Sequence, residues 1–590
     1  MSLASDLAAL FHTAAAVFEI KGEPVFKAIA FSKIARILED TTVDLRRAVE
    51  DGSIAKMEGV GKSSRKIIED FVRTGRSPDM DELIASIPGG LLPLRNIPSL
   101  GPKTIGLFWK ERGITSMGEL VAALDAGKLD GLKGIGPKKL QSIKEGIAMI
   151  EQAGGRRGLV DVLPIALRLV EQVRALPGVK QAEYAGSLRR WQETIGDVDI
   201  VAGVDNSAKG EALTKAFTEF SIVEKVLGQG DTKASVLVES GLQVDLRIVP
   251  NDHFGAALQY FTGSKEHNVK LRGLCLDQEM TLNEWGLYKL SEYDKAKKVT
   301  GKPPAVPAVA SKTETDVYKA LGLQFIPPEL RQGKDEIELA ANKKLPKLIE
   351  VKDLRGDLHT HTTASDGTAS IEEMAEAAKA LGYEFLAITD HSKSQVIANG
   401  LSKERLLKHV AAIRKASDKI KGITLLAGSE VDILVDGRLD FEDGVLAELD
   451  IVVASPHASL KQDEKTATDR ILRAIDNRYV TLIGHPTGRL INKRAGLPLD
   501  INAVIARAKQ NGVALEINSG WPRLDLRDSH ARAALAEGVM LSINTDAHSI
   551  DGLGERYLGI GVARRAGAEA KSVINCMSLS ELRAFIAKRR

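Results

Sequence analysis

Tyr184-Ala-Gly-Ser-Leu-Arg-Arg-Trp-Gln-Glu-Thr-Ile-Gly-Asp-Val-Asp-Ile-Val201 reads as a Gly-Ser turn followed by a β-strand that carries two acids. Successive strand side chains point to opposite faces, so Asp197 and Asp199 share one face while Val198 and Ile200 enter the core. Two carboxylates held that close repel unless a divalent cation lies between them. Hard oxygen ligands suit Mg²⁺, which completes its octahedron with water and substrate phosphates. Upstream, Gly186 and Ser187 offer a backbone approach and a hydroxyl, and Arg190 a guanidinium, all suited to a phosphate. Taken alone, D-x-D reads better as a solvated strand end with ordinary surface acids, and its surroundings must decide.

Downstream, Val244-Asp-Leu-Arg-Ile-Val places Asp245 between apolar neighbours on a second strand. A lone carboxylate there is expensive unless solvated or paired with a cation. On an antiparallel neighbour it would complete a three-acid cluster with Asp197 and Asp199. Such a cluster suits two metals, one at the attacking hydroxyl and one at the leaving pyrophosphate. Asp245 is then the candidate to orient or deprotonate a 3′-hydroxyl.

These segments together resemble the palm of family X DNA polymerases, the group that includes DNA polymerase beta. Phe254-Gly-Ala-Ala-Leu-Gln-Tyr-Phe-Thr-Gly-Ser264 extends the match. The resemblance implies that Tyr260, Phe261, Thr262, Gly263 and Ser264 lie against the sugar of the incoming nucleotide, with Tyr260 and Phe261 discriminating against a 2′-hydroxyl. It implies Asn268 near the base edge, Arg272 toward the template, and Ser187 and Arg190 on the triphosphate, aided by Arg156 or Arg157. An aromatic pair closing on a Gly-Ser turn can pack a deoxyribose, and any extra oxygen would be buried against it.

The first third repeats a turn before a helix: Glu58-Gly-Val-Gly-Lys, Leu100-Gly-Pro-Lys and Lys133-Gly-Ile-Gly-Pro-Lys. Unpaired N–H groups at a helix start favour an anion. Gly59, Gly61, Gly101, Gly134 and Gly136 shape the turns, and Lys62, Lys103 and Lys138 stand where a phosphate approaches. Three copies indicate helix-hairpin-helix contacts to the DNA backbone, without base reading. Family members that excise a 5′-deoxyribose phosphate use a lysine on the helix after the first hairpin. The matching position is Ile67, and Lys66 is turned away by about 100°, so lyase activity is not expected.

After residue 350, apolar strands end in polar pairs: His359-Thr-His361 with Asp366, Asp390-His391, Glu430, His457, His485, and Asp546-Ala-His548. Helical stretches alternate with them, which predicts parallel strands closed into a barrel that gathers ligands at its carboxyl ends. Imidazole with carboxylate suits Zn²⁺, Mn²⁺ or Fe²⁺ better than Mg²⁺. The pattern resembles the PHP (polymerase and histidinol phosphatase) domain. By that resemblance His359, His361, Asp366, His391, Glu430, His457, His485, Asp546 and His548 hold three ions that hydrolyse a phosphoester, with Asp390 orienting the ligands.

The expected fold is therefore multidomain. A helical lyase-like domain with a hairpin spans 1–80, helix-hairpin-helix fingers 81–155, an α+β nucleotidyltransferase palm 156–252 and a thumb 253–330. A charged linker occupies 331–350, and an α/β PHP distorted barrel 351–590. The expected activity is gap-filling DNA polymerisation with a 3′→5′ exonuclease, and cleavage at abasic sites as an added capacity. Its partners would be gapped or primer-template DNA and deoxynucleoside triphosphates, and the chain a monomer. A DNA-end-binding scaffold with an inactive palm, and a small-molecule phosphatase, are the competing readings. With 590 residues, a net charge of +2 and two cysteines, the composition has no disulfide framework and suits a reducing cytoplasm. No apolar run reaches membrane-span length, and Met1-Ser-Leu-Ala-Ser-Asp lacks a signal-peptide pattern.

Overall fold

Gly61 and Gly101 each stand as the residue before a helix, and Gly136 precedes a third: α1 (Lys62–Thr74), α2 (Pro102–Arg112) and α3 (Pro137–Gln152). In the computed structural model, which describes residues 3–39, 45–57, 60–97, 100–152, 155–205, 210–238, 241–296 and 302–590, these helices belong to a unit of Met1–Gly155. A second unit spans Arg156–Arg590. The expected hairpin glycine Gly59 lies outside the described residues.

The first unit is helical. Leu7, Phe11, Leu38, Ile67 and Ile68 share one apolar cluster, and Ile20, Leu91, Phe108 and Ile143 share another. Ile67 is only 3% exposed and belongs to the first of these clusters. Lys66 points outward and pairs with Asp79 at 2.7 Å.

In the second unit the palm sheet contains β1 (Val179–Tyr184), β2 (Asp197–Val204), β3 (Val223–Gln229), β4 (Lys233–Val238) and β5 (Leu242–Pro250), in the order β1-β2-β5-β4-β3. Between β1 and β2 sits the short helix α4 (Gly186–Arg189). Strand β5 runs parallel to β2, with Asp199 opposite Asp245. This corrects the antiparallel pairing expected from the sequence: β4 intervenes in the chain and pairs antiparallel with β5, so β5 returns in the direction of β2. Helices α5 (Phe254–Thr262) and α6 (Lys265–Asp277) follow, meeting at Gly263-Ser264.

Residues 331–350, expected as a linker, are packed. Arg331 is fully buried, its Nη1 donating to Glu314 at 2.6 Å and its ring-facing plane against Tyr318. Helix α7 (Glu336–Ala341) carries Glu336, which accepts from His267 Nδ1 at 2.7 Å. Charge made this segment look solvated; Arg331 is paired with Glu314, and Glu336 accepts from the His267 ring and the Gly333 and Lys334 N–H groups, which is what allows burial.

The barrel is a seven-stranded parallel sheet in chain order: β6 (Gly356–Asp357), β7 (Phe385–Ile388), β8 (Thr424–Asp432), β9 (Ile451–Ser455), β10 (Leu482–Ile483), β11 (Ala514–Asn518) and β12 (Leu541–Asn544). A parallel bridge from Thr360 to Ala547 nearly closes it. Helices α8 (Asp528–Ala536) and α9 (Arg556–Ala566) pack outside its last strands. Every barrel strand residue except Thr424 is buried, so a run of Val, Ile, Leu and Ala replaces strict alternation.

Candidate active sites in the palm and the barrel

In the palm, the neighbouring interior strands β2 and β5 bring Asp197, Asp199 and Asp245 to one face of the sheet. Burial, then the charges of Asp197 and Asp245, push the Asp199 carboxyl up to about 6. Asp245 shows the opposite balance. Burial works to raise it, but Lys233 Nζ at 2.7 Å, Ser235 and Gln243 hold it below the usual range. Asp245 is thus engaged by a lysine on β4, and the three acids are not drawn into one tight ligand group. The strained charge on Asp199 suits a hard cation.

Gly186 meets this acid directly. Its φ is +63°, and a Cβ there would stand 2.7 Å from Asp199 Oδ2, so only glycine lets the turn approach the carboxylate. A cleft of about 410 Å³ is lined by Gly186, Ser187, Arg190, Asp197, Asp199, Tyr260, Phe261, Gly263, Asn268 and Arg272, with Arg156 and Lys265. Of the expected pair, Arg156 and not Arg157 stands on its wall, beside Arg190 and Arg272. Tyr260 and Phe261 meet edge to face at 5.2 Å, and Arg247 lies 5.1 Å from the Phe261 ring. Asn268 is fixed by Gln259 and by the Tyr260 carbonyl, both at 2.8 Å.

Thr262 and Ser264 were expected against the sugar but do not line the cleft. The Thr262 hydroxyl accepts from Arg189 Nη1 at 2.7 Å, and its carbonyl accepts from Arg190. Ser264 caps α6, accepting from the His267 N–H at 3.2 Å. Both hold the junction between α5, which carries Tyr260 and Phe261, and α6. Lys233 went unnoticed in the sequence because a lysine on an alternating strand reads as solvent-facing.

In the barrel, the expected ligands follow their strands, except Glu430, which lies within β8 two residues before its end. Buried Glu430 lies 2.8 Å from His485 Nε2 and from His391 Nδ1, 3.2 Å from His457 Nε2, 3.3 Å from His359 Nε2 and 3.7 Å from His361 Nε2. Three sets have ligand atoms within 4.8 Å of one another: His361, Asp366, His391 and His548; His359, His361, Glu430 and Asp546; and His391, Glu430 and His457. His485 belongs to none of the three and joins the cluster through Glu430.

The donors fit metal ions. His359 Nε2, His361 Nδ1, His391 Nδ1, His485 Nδ1 and Glu430 Oε2 are buried without a hydrogen-bond partner among the described residues. The His391–Glu430 approach is close yet misaligned for a hydrogen bond, as when both atoms aim at a shared cation. Burial and the neighbouring His548 and His391 hold His361 down to about 4, so its ring is neutral and a lone pair is free.

The Asp390 carboxylate is taken up by partners other than the ring of His391. It accepts from the Thr362 and Ser365 N–H groups at 2.9 and 3.1 Å and from His409 at 2.8 Å, which shapes the loop bearing Asp366. Two acids escaped the sequence reading. Glu516 accepts from His359 Nδ1 at 2.9 Å, and Asp432 stands 2.5 Å from His457 Nδ1. Each orients a ligand ring. Their signal was present: Glu516 lies between apolar residues as Asp245 does, and Glu430-x-Asp432 repeats the D-x-D spacing.

A nucleotidyltransferase palm with an aromatic-walled cleft, joined to a parallel barrel with a histidine-carboxylate centre, defines a two-site phosphoryl-chemistry class. The family description DNA polymerase beta thumb matches residues 257–332, and PHP domain matches 357–520. The DNA polymerase/3'-5' exonuclease PolX of Bacillus subtilis (strain 168) is 37% identical over 585 residues, 99% of each chain. A probable phosphatase of Thermoanaerobacter sp. (strain X514) is 32% identical over 230 residues, 37% of this chain and 89% of its own. A solved chain described as Leishmania infantum polymerase beta in a ternary P/T complex matches 39% of this chain and 94% of its own at 22% identity, with a TM-score of 0.28 that is too low to bear on the fold. The chain belongs to the family X DNA polymerases that carry a PHP domain.

Proposed function

We propose that the chain fills gaps in DNA by adding deoxynucleotides to a 3′ end, and removes 3′ nucleotides at its barrel. The observation that carries this reading is the presence of two separate sites with different donor chemistry: acids with an aromatic cleft in the palm, and orphaned imidazoles around Glu430 in the barrel.

In the palm, Ser187 and Arg190 hold the triphosphate, and Tyr260 with Phe261 packs the deoxyribose. Asn268 meets the base edge and Arg272 the template side. Lys233 keeps Asp245 ionised, ready to accept the proton of the 3′-hydroxyl. Asp197, Asp199 and Asp245 would hold Mg²⁺, which when bound supplies neutralisation of the phosphates and a more acidic hydroxyl.

In the barrel, His359, His361, Asp366, His391, Glu430, His457, His485, Asp546 and His548 would hold three ions, Mn²⁺ or Zn²⁺, which supply a nucleophile at neutral pH and charge for the leaving phosphate. Glu516 and Asp432 keep the His359 and His457 rings turned inward. Domain limits follow the sequence boundaries, with 331–350 packed and not a free linker, and the chain acts as a monomer in the cytoplasm. Among the described residues no helix is long and apolar enough to cross a membrane.

The test is reciprocal. Asp245→Ala is expected to abolish primer extension and leave 3′ degradation within about twofold, and His361→Ala to do the reverse. Loss of both activities in either variant sinks the two-site reading, and no extension by the unaltered chain favours the scaffold. Release of phosphate from a small monoester, with no degradation of DNA, favours the phosphatase.

The exposed lysines at the hairpins carry a further expectation. Replacing Lys62, Lys103 and Lys138 together by alanine should weaken gapped-DNA binding and make the salt dependence shallower by about 2.7 in log K against log salt, for three lost phosphate contacts. Filter-binding titrations from low to physiological salt measure it, and an unchanged slope refutes the assignment.

A further inference from the structure

The triphosphate turn of the palm is not held by the palm alone. Helix α4 has four residues, too few to stabilise itself. The Arg190 carbonyl that follows it accepts a 2.7 Å hydrogen bond from Nη1 of Arg565 on α9, a side chain 5% exposed whose Nη2 is tied to Asp528 at 2.7 Å. Trp191, next in the chain, has a φ of 59°, a conformation that a non-glycine residue keeps only when its surroundings impose it. Its indole lies over Gly561 of α9 so closely that a Cβ there would stand 1.3 Å from Nε1. Tyr557, one turn earlier on α9, meets the same indole edge-on at 6.2 Å. Glu193 is clamped by both terminal nitrogens of Arg489, at 2.9 and 2.5 Å, from the loop after β10.

We infer that α9 of the barrel is a positioning element for nucleotidyl transfer: Arg565, and the seat that Gly561 offers Trp191, fix the turn at 186–191 from behind so that Ser187 and Arg190 meet the triphosphate in register. The nuclease barrel is on this account part of the polymerase's nucleotide site, although none of its residues touches the nucleotide. Arg565 and Gly561 are positioning residues. The contacts reach the backbone of Arg190 and the ring of Trp191, while the Arg190 guanidinium remains on the cleft wall and donates to the Thr262 carbonyl. A displacement of the turn by a fraction of an ångström therefore moves the phosphate-binding group itself. The inference rests on Arg190 and Ser187 holding the triphosphate, as proposed above.

The test uses the full chain. Arg565→Lys retains a charge for Asp528 but shortens the reach to Arg190; Gly561→Ala pushes the indole off its seat; Arg190→Ala is the control. Single-nucleotide gap filling is measured against nucleotide concentration, and degradation of a single-stranded 3′ end is measured on the same preparation. The expected result is a rise of about tenfold in KM for the deoxynucleotide in both barrel variants, with kcat changed less than about threefold and the nuclease within about twofold. An unchanged KM in either variant with the nuclease intact overturns the inference. So does a fall in kcat alone, or joint loss of both activities in both variants, since either marks α9 as a folding contact only. Arg190→Ala separates the two levels. If it raises KM while the barrel variants do not, the inference fails and the nucleotide site stands; if it leaves KM unchanged, the reading of the nucleotide site itself fails.

Discussion

Glu430→Gln is expected to lower 3′ degradation by about a thousandfold or more while primer extension continues. Glu430 is fully buried and faces five imidazoles within 3.7 Å. It belongs to two of the three ligand sets, so its charge is shared by more than one prospective ion. Glutamine keeps the shape and one acceptor oxygen but removes the negative charge and puts an N–H₂ donor toward an imidazole. Two consequences follow. Metal retained after dialysis should fall by at least one ion per chain, read by elemental analysis. Stability without metal should also fall, by roughly 3–5 kcal/mol, because the imidazoles that carry protons beside Glu430 lose their buried counter-charge. A variant that keeps both its nuclease rate and its metal content would show that Glu430 only balances charge.

Asp199→Asn should act in opposite directions on catalysis and stability. Primer extension is expected to fall by about a thousandfold or more, since a charged ligand for the prospective Mg²⁺ is lost. Metal-free stability is expected to rise. Burial and the charges of Asp197 and Asp245 raise the Asp199 carboxyl from 3.8 to about 6 in the folded chain. A carboxyl whose folded pKa is raised opposes folding when ionised. The penalty is fully present above about 6, fades as pH falls, and is gone below about 4. A shift of about two units corresponds to roughly 2–3 kcal/mol at pH 7. In chelator, the variant should therefore melt higher than the parent at pH 7, with the gap closing towards pH 4. Excess Mg²⁺ should narrow the gap at pH 7 by stabilising the parent alone. Equal melting curves at pH 7 in chelator would remove the argument that Asp199 stores repulsion for a cation.

The two residues differ in how far the sequence reached them. Asp197 and Asp199 were legible because a period of two is a property of the chain itself, and Val198 and Ile200 are indeed fully buried. The histidines were legible because strand ends recur with the same residue types. Asp245 was legible as an expensive acid among apolar neighbours, but its direction was not: pairing depends on which strand lies between, and β4 made β5 parallel to β2. Thr262 and Ser264 illustrate the same limit, since Arg189 claims the hydroxyl of the one and the His267 N–H that of the other, partners that the spacing does not reveal.

What the sequence by itself determined was which residues share a face or a strand end, namely the acids of β2, the Tyr260-Phe261 pair and the histidines that follow the barrel strands, together with the succession of helical, α+β and α/β segments. These rest on local spacing, which the backbone periods convert directly into shared faces. What only the tertiary structure decided was who stands beside those groups. Lys233 on Asp245, Glu516 behind His359, the packing of 331–350, and Arg565 under Arg190 join residues 12 to 375 positions apart. No local period encodes such pairs, because they arise when separately formed elements compete to bury the same surface and must then satisfy every charge that burial encloses.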